Sequence, residues 1–394
     1  MMILEHRMRF ENARLSILKS FRLLPVLLLV FSGWACVAQP SSIPELEGLS
    51  PDEAAEAEAF GVLVERLSGA GGYFDTDNLI SNESSYLHVI PRLKKLGLSG
   101  GAYLGVGPDQ NYSYIAHLEP EIAIIVDIRR DNMLTHLLYK ALFELSDDRL
   151  DFLANLFARY PLKKDVSAPG SVQQLMAAIE GADVLREEQL EKMLAVVRGK
   201  IEQSGVNLSE DDLATTRNIH LAFIAEGPGL RFKSHGRTSQ SYYPTYKQLA
   251  TETTVTGENV SFLSDEVYFS RLKEMHEANL IVPVVGNFAD DDALPEVGKY
   301  LKEIGLEVSA FYTSNVEYYL MSQQQITQFV ANVRQMPLKE GSVFIRSYFN
   351  RWRSGHPLSI PGYGSTQILQ PITTMLELSD PTYQELILTN VFDY

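Results

Sequence analysis

The stretch AYLGVGPDQNYSYIA, residues 102–116, decides the fold class of this chain. Its first residues are apolar and suit a buried strand, its last residues suit a helix, and Gly105, Gly107 and Pro108 lie at the junction. In parallel sheets covered by helices, such a turn lets a ligand approach the main chain at a helix N-terminus. The stretch is therefore either a cofactor-binding turn or a tight bend between two buried elements.

The neighbouring segments continue this alternation of strand and helix. Residues 121–129 (EIAIIVDIR) predict an apolar strand, and residues 130–146 predict a helix. The alternation returns after residue 265, with strands predicted at 281–289, 307–315 and 342–349. Apolar, β-branched strands that alternate with helices are typical of a parallel sheet covered on both faces. We therefore predict an α/β, Rossmann-like fold with a mostly parallel sheet and helices on both faces.

A helical insertion is predicted between the two halves of this fold. Residues 148–225 are rich in Leu, Ala, Glu, Lys and Gln, with amphipathic patterns at 171–182 and 186–205. We assign a linker and N-terminal helix to 39–74, the first half of the Rossmann-like domain to 75–147 and the second half to 226–394. Residues 1–38 form a separate leader.

The leader has the pattern of a secretory signal peptide. Five basic residues precede the apolar run LLPVLLLVFSGWA, residues 23–35, which is short of the roughly 20 residues that span a bilayer. Cleavage between Ala38 and Gln39 would leave no transmembrane span, and Cys36, the single cysteine, offers a lipid anchor as the alternative. We expect an exported protein, periplasmic or extracellular, or a cytoplasmic one if the leader is misread.

Composition excludes some classes of partner. The formal net charge is −16, and the chain has no basic run to bind a phosphate backbone, so nucleic acid is not expected as a partner. The histidines form no HxH or HExxH pair, so no metal is expected either. A small molecule is the expected ligand.

An acidic residue ends the second predicted strand. Asp127 follows Gly107 by about twenty residues, the spacing at which Rossmann-type sites hold a carboxylate for ribose hydroxyls. The alternative is a cap for the helix that follows. Arg129, directly after this strand, is a candidate for binding an anionic part of the substrate.

Polar residues also follow two later strands. Asn287 comes after the strand at 281–289, and Ser314, Asn315 and Glu317 come after the strand at 307–315. Because parallel strands end at one edge of the sheet, these side chains are expected to face a common crevice. Glu317 is the candidate general base and Asn287 a second catalytic candidate, while Ser314 and Asn315 are candidates for substrate binding. Plain turn, capping or surface roles are the alternatives.

Five phrases together resemble an uncharacterised bacterial family with an S-adenosylmethionine-dependent methyltransferase-like fold: AYLGVGPDQNYSYIA, IAIIVDIRRDN, VPVVGNFA, AFYTSNVEYYL and FIRSYFN. The likeness covers most of residues 75–375. It implies that Gly105 and Gly107 match the glycine loop and that Asp127 matches the ribose-binding acid. Asp109 stands where the family pattern has a third glycine and would place a carboxylate beside the cofactor.

The resulting expectation is a protein that binds an adenosine-type molecule and transfers a methyl group from S-adenosylmethionine to an unknown acceptor. The alternative is a non-catalytic ligand-binding or structural protein of the cell envelope that keeps the fold without the cofactor. An envelope hydrolase that uses Glu317 or Asp109 is a third hypothesis.

Overall fold

The computed structural model of the chain describes residues 43–160, 170–234, 240–350 and 355–394. The predicted signal peptide and the alternative lipid anchor at Cys36 lie outside these residues. Within them, no helix combines the length and hydropathy that crossing a membrane requires.

Six strands form one sheet, and five of them follow the predicted apolar segments, whereas β6 was not predicted. They are β1 (Ala102–Gly105), β2 (Ile122–Asp127), β3 (Ile281–Val285), β4 (Val308–Ser314), β5 (Leu338–Phe349) and β6 (Ser365–Pro371). Every residue of β1, β2 and β3 is buried, as expected for strands covered on both faces. The predicted α/β, Rossmann-like class is confirmed.

The strand order in the sheet is β3-β2-β1-β4-β5-β6. The first five strands are parallel, with Leu104 of β1 opposite Ile124 of β2 and Phe311 of β4, whereas β6 runs antiparallel to β5. The chain reverses its direction across the sheet between β1 and β4. In open α/β sheets, ligands bind outside the carboxyl ends of the strands at such a reversal.

The helices before β3 are α1 (Pro51–Leu67), α2 (Ile90–Leu96), α3 (Gln110–Leu118), α4 (Arg130–Glu144), α5 (Arg149–Phe157), α6 (Val172–Glu180), α7 (Glu187–Glu202), α8 (Glu210–Glu226), α9 (Tyr246–Ala250) and α10 (Glu266–Glu277). After β3 come α11 (Ala293–Ile304), α12 (Val316–Ser322), α13 (Ile326–Arg334), α14 (Ile372–Glu377) and α15 (Tyr383–Leu388). At the start of α1, Ser50 forms a capping box with Glu53, and Pro51 occupies the first turn.

The inserted helices pack on the sheet domain through α4. This helix contacts β2 and β3 on one side and α7, α8 and α10 on the other. Twelve of its residues are buried, including Leu138 and Phe143. The described residues from 43 onward belong to one compact unit, so the insertion shares its hydrophobic core with the sheet.

Candidate functional site

A large cavity lies at the carboxyl ends of the parallel strands. Its volume is about 1330 Å³. Residues that end or follow five successive strands of the sheet line it: Gly107 after β1, Asp127 of β2, Asn287 after β3, Ser314 of β4 and Phe349 of β5. The cavity therefore occupies the place where α/β sheets bind their ligands, at the reversal between β1 and β4.

Besides residues of α3 and α12, three segments outside the sheet line the wall. They contribute residues from 73–84, from 232–252 and from 362–364. Two hydrogen bonds join the first two segments. The backbone N–H of Asp77 donates to the Lys233 carbonyl at 3.1 Å, and the backbone N–H of Lys233 donates to the Asp77 carboxylate at 3.2 Å. Tyr242 and Tyr243 of the second segment also line the cavity.

The two glycines of the predicted loop have different roles. Gly107 lines the cavity, has a φ of +78°, and has open space where a side chain would point. Gly105 does not line it. An added Cβ at Gly105 would lie 2.0 Å from Oδ1 of Asn111, whose amide nitrogen donates to the carbonyls of Val106, Gly107 and Pro108. The assignment of Gly105 to cofactor binding is corrected: it makes room for the side chain that shapes the turn.

Asp127 reaches the cavity but already has a cationic partner. Its Oδ1 accepts from the backbone N–H of Arg129 at 2.9 Å and from the Arg129 Nε at 3.2 Å, and its Oδ2 accepts from Nη2 at 3.2 Å. The Arg129 Nη1 donates to the carbonyls of Thr76 and Asp77 at 3.2 and 2.8 Å. Arg129 thus lines the cavity while tying segment 73–84 to the sheet.

Asp109 is separated from this cavity. It is buried beside a second space of about 20 Å³, lined also by Tyr86 and Tyr246, with room for about one water molecule. Burial raises the pKa of its carboxyl to about 7, against the opposing effect of the nearby Tyr139 hydroxyl. The expectation that Asp109 contacts a cofactor in the crevice is corrected, because its side chain is buried beside the smaller space instead.

Asn287, Ser314 and Asn315 line the cavity as predicted. The Asn287 side chain also fixes its own turn: Oδ1 accepts from the backbone N–H of Ala289 at 3.0 Å, and Nδ2 donates to Asp290 at 3.2 Å. Asn287 therefore combines the turn role with a position on the wall. Ser314 has a φ of +54°, an uncommon value for a residue other than glycine.

Glu317 does not reach the cavity, so its assignment as general base is corrected. It is fully buried, its Oε1 lies 2.8 Å from the Arg346 Nε, and the Thr313 hydroxyl donates to the same oxygen at 2.9 Å. Arg346 is also buried and donates to Gln370. Because Arg346 lies in an otherwise apolar strand, its buried charge requires a partner, and Glu317 is that partner. Without Glu317 and Asp109 in the cavity, the hydrolase hypothesis loses both carboxylates.

The acidic residue that sequence reasoning missed is Glu83. It lines the cavity, is only 2% exposed, and accepts from the Tyr312 hydroxyl at 2.7 Å and from the Ser314 hydroxyl. Burial raises the pKa of its carboxyl, while hydrogen bonds from Ser314 and other neighbours act against this rise. The only sequence signal was a polar run, DTDNLISNESS at 75–85, which resembles any surface loop.

Gln110 completes this cluster. Its side-chain nitrogen donates to the Tyr312 hydroxyl at 2.6 Å, so Gln110, Tyr312 and Glu83 form a chain of hydrogen bonds along the wall. In the described part of the molecule, no three His, Cys, Asp or Glu side chains are grouped as a metal site requires.

Comparison with curated proteins gives no match. A family model described as a domain of unknown function, DUF7790, matches residues 78–388. The match begins just before the cluster around Glu83 and extends through the last strand of the sheet. Because it covers well over half of the chain, this protein belongs to the DUF7790 family.

Proposed function

We propose that the cavity binds an adenosine-type small molecule and that the protein transfers a methyl group from S-adenosylmethionine to a second molecule. The observation that carries the proposal is the meeting of Gly107 and Asp127 in one cavity at the strand-order reversal.

The residues present fit the adenosine part of this ligand. Gly107 presents bare main chain to the cavity, with no atom within 4 Å of the place where a side chain would start. A carboxylate oxygen has two lone pairs, and the Asp127 Oδ2 uses one of them on Arg129. The other lone pair remains for a ribose hydroxyl.

The size of the cavity supports a reaction between two bound molecules. About 1330 Å³ exceeds the roughly 300–1000 Å³ of a common small-molecule site, so the cavity has room for a cofactor and an acceptor. S-adenosylmethionine, when bound, supplies an activated methyl group. The contribution of this chain is then to orient two ligands and to exclude water from between them.

Isothermal titration of the full chain with S-adenosylmethionine, S-adenosylhomocysteine and adenosine tests the proposal. Binding of the first two is expected. Asp127→Asn should weaken it about tenfold by removing a charged hydrogen-bond acceptor. Asp212→Asn is the matched control, since Asp212 also pairs with an arginine, Arg130, but does not line the cavity. A folded protein that gives no heat with any of the three compounds would contradict the proposal.

A second candidate is a ligand-binding or structural protein that keeps the fold without the cofactor. The ion pair between Asp127 and Arg129 favours it, because the ribose-binding carboxylate is held by the protein itself. Cell fractionation bears on the choice: the pool of S-adenosylmethionine is cytosolic, so an exported protein favours this candidate and a cytosolic one favours the methyltransferase.

A further inference from the structure

The buried carboxyl of Glu83 has no ion-pair partner among the described residues. Its oxygens accept from the hydroxyls of Tyr312 and Ser314, and the side chains of Ser347 and Gln367 contribute further hydrogen bonds, so that every donor is neutral. A charged carboxylate in a buried site is costly unless a cation or several strong donors accompany it. Glu83 nevertheless lies on the wall of the cavity at the carboxyl ends of the strands, where a ligand can supply the missing charge.

One residue of the same wall has a buried acceptor without a partner. Oε1 of Gln110 has no hydrogen-bond partner among the described residues, and the Gln110 side chain, 7% exposed, lines both this cavity and the smaller space beside Asp109. Its amide nitrogen is occupied by Tyr312, and Tyr312 in turn donates to Glu83. Two acceptors thus flank one tyrosine. An ammonium group carries several N–H donors and no acceptor, which is the complement of this arrangement.

The wider lining of the cavity favours a cation as well. The described residues of the wall carry more negative than positive charge. They include one guanidinium, that of Arg129, and four carboxylates, those of Asp75, Glu83, Asp127 and Glu252. Aromatic rings also line the cavity, and their faces attract cations. They include Phe74, Tyr242, Tyr243, Tyr319 and Tyr363.

We propose that the cluster of Glu83, Gln110, Tyr312 and Ser314 binds the ammonium group of a small amine. The inference rests on the proposed function in one respect: the amine is the molecule that shares the cavity with the adenosine-type ligand. Glu83 supplies the charge, and Gln110 accepts a second N–H. Tyr312 and Ser314 hold the carboxylate in place.

Titration of the full chain with charge-varied probes tests this site without S-adenosylmethionine. The probes are benzylamine, benzyl alcohol and benzoate, with putrescine as an aliphatic amine. The amines are expected to bind at least about tenfold more tightly than the alcohol, and benzoate least of all, because only the ammonium group offers a charged donor to the Glu83 carboxylate.

Glu83→Gln should remove the preference for amines while keeping the shape of the side chain. Glu252→Gln is the matched control, since it removes a carboxylate from the same cavity outside the cluster, and it should change amine affinity less than about threefold. Circular dichroism and the melting temperature without ligand establish that each variant is folded. If Glu83→Gln does not fold, the comparison of amine with alcohol on the native chain still decides.

Two outcomes overturn the inference: amines that bind no better than benzyl alcohol to the native chain, or an undiminished amine preference in Glu83→Gln. The result is separable from the test of the proposed function. Amine binding without binding of S-adenosylmethionine removes the methyltransferase and leaves the amine site. The reverse result removes the amine site alone.

Discussion

The burial of Asp109 makes the free energy of unfolding depend on pH. Burial raises its pKa from 3.8 to about 7, so the folded state holds the proton more tightly than the unfolded chain does. The contribution to stability is full below about pH 4 and is lost as the pH rises towards 7. The slope from this group is at most about 1.4 kcal/mol per pH unit.

Asp109→Asn should therefore gain stability relative to the native protein as the pH is raised from 4 to 8. The expected difference is on the order of 2–4 kcal/mol, because the variant has no carboxyl to ionise in the buried site. Urea unfolding of both proteins at the two pH values measures it. Asp151, whose pKa is raised to about 6, is present in both proteins and cancels. An equal stability difference at both pH values would refute the expectation.

The buried ion pair of Glu317 and Arg346 is a second case in which one carboxyl affects the stability of the protein. Glu317→Gln leaves the buried guanidinium without a counter-charge, and we expect it to lower the free energy of unfolding by about 3 kcal/mol. Glu296→Gln breaks a half-exposed pair with Arg66 and should cost less than about 1 kcal/mol. Denaturant titrations compare the two variants. Similar small losses in both would mean that the buried pair is not needed.

At the scale of elements, the packing of α1 depends on two glycines that approach each other closely. A Cβ at Gly61 in α1 would lie 1.8 Å from the carbonyl oxygen of Gly205, and a Cβ at Gly205 would lie 2.0 Å from the carbonyl oxygen of Ala57. Gly205 also has a φ of +75°. The helix therefore touches the loop between α7 and α8 through bare backbone.

Gly61→Ala should destabilise the protein even though alanine favours a helix by about 1 kcal/mol over glycine. The clash is with backbone, so the helix must move away and lose contacts of Phe60 and Val64. Gly298→Ala in α11 is the matched control. There a Cβ meets its nearest neighbour at 3.6 Å, and a gain of up to about 1 kcal/mol is expected. Thermal melts of both variants should shift in opposite directions, and a shared direction would contradict the packing argument.

At the scale of the whole molecule, the insertion and the sheet are expected to unfold together. Helix α4 contributes buried side chains both to the sheet and to α7 and α8, so neither part keeps its core without the other. Calorimetry of the full chain should show one transition for this unit. Two separate transitions, one of which leaves the far-ultraviolet signal of the strands intact, would show that the insertion is an independent domain.

Five of the six strands and most helices could be predicted from the sequence, because the hydrophobic periodicity and the turn residues that mark them are local properties of the chain. The apolar run before Asp127 and the polar strand ends lie within a few residues of what they predict. The antiparallel direction of β6 was not predicted, because apolar residues in a strand look alike whichever way the strand runs.

The composition of the site was only partly accessible to the sequence. Gly107, Asp127, Arg129, Asn287, Ser314 and Asn315 were placed on the wall because parallel strands end at one edge. Glu83 could not be placed, since it meets Tyr312 across 229 residues of chain. Gly105, Asp109 and Glu317 were misplaced for a related reason: spacing gives the position of a residue along the chain but not the direction of its side chain.

The sequence by itself determined the class of sheet and the edge of that sheet where polar side chains would gather. The tertiary structure alone decided which carboxyls face the cavity and which are buried as ion pairs or beneath the turn. The physical reason is that burial and charge pairing depend on neighbours brought together from distant parts of the chain. Those neighbours decide whether a carboxyl can contact a ligand or stabilises the fold as part of an ion pair.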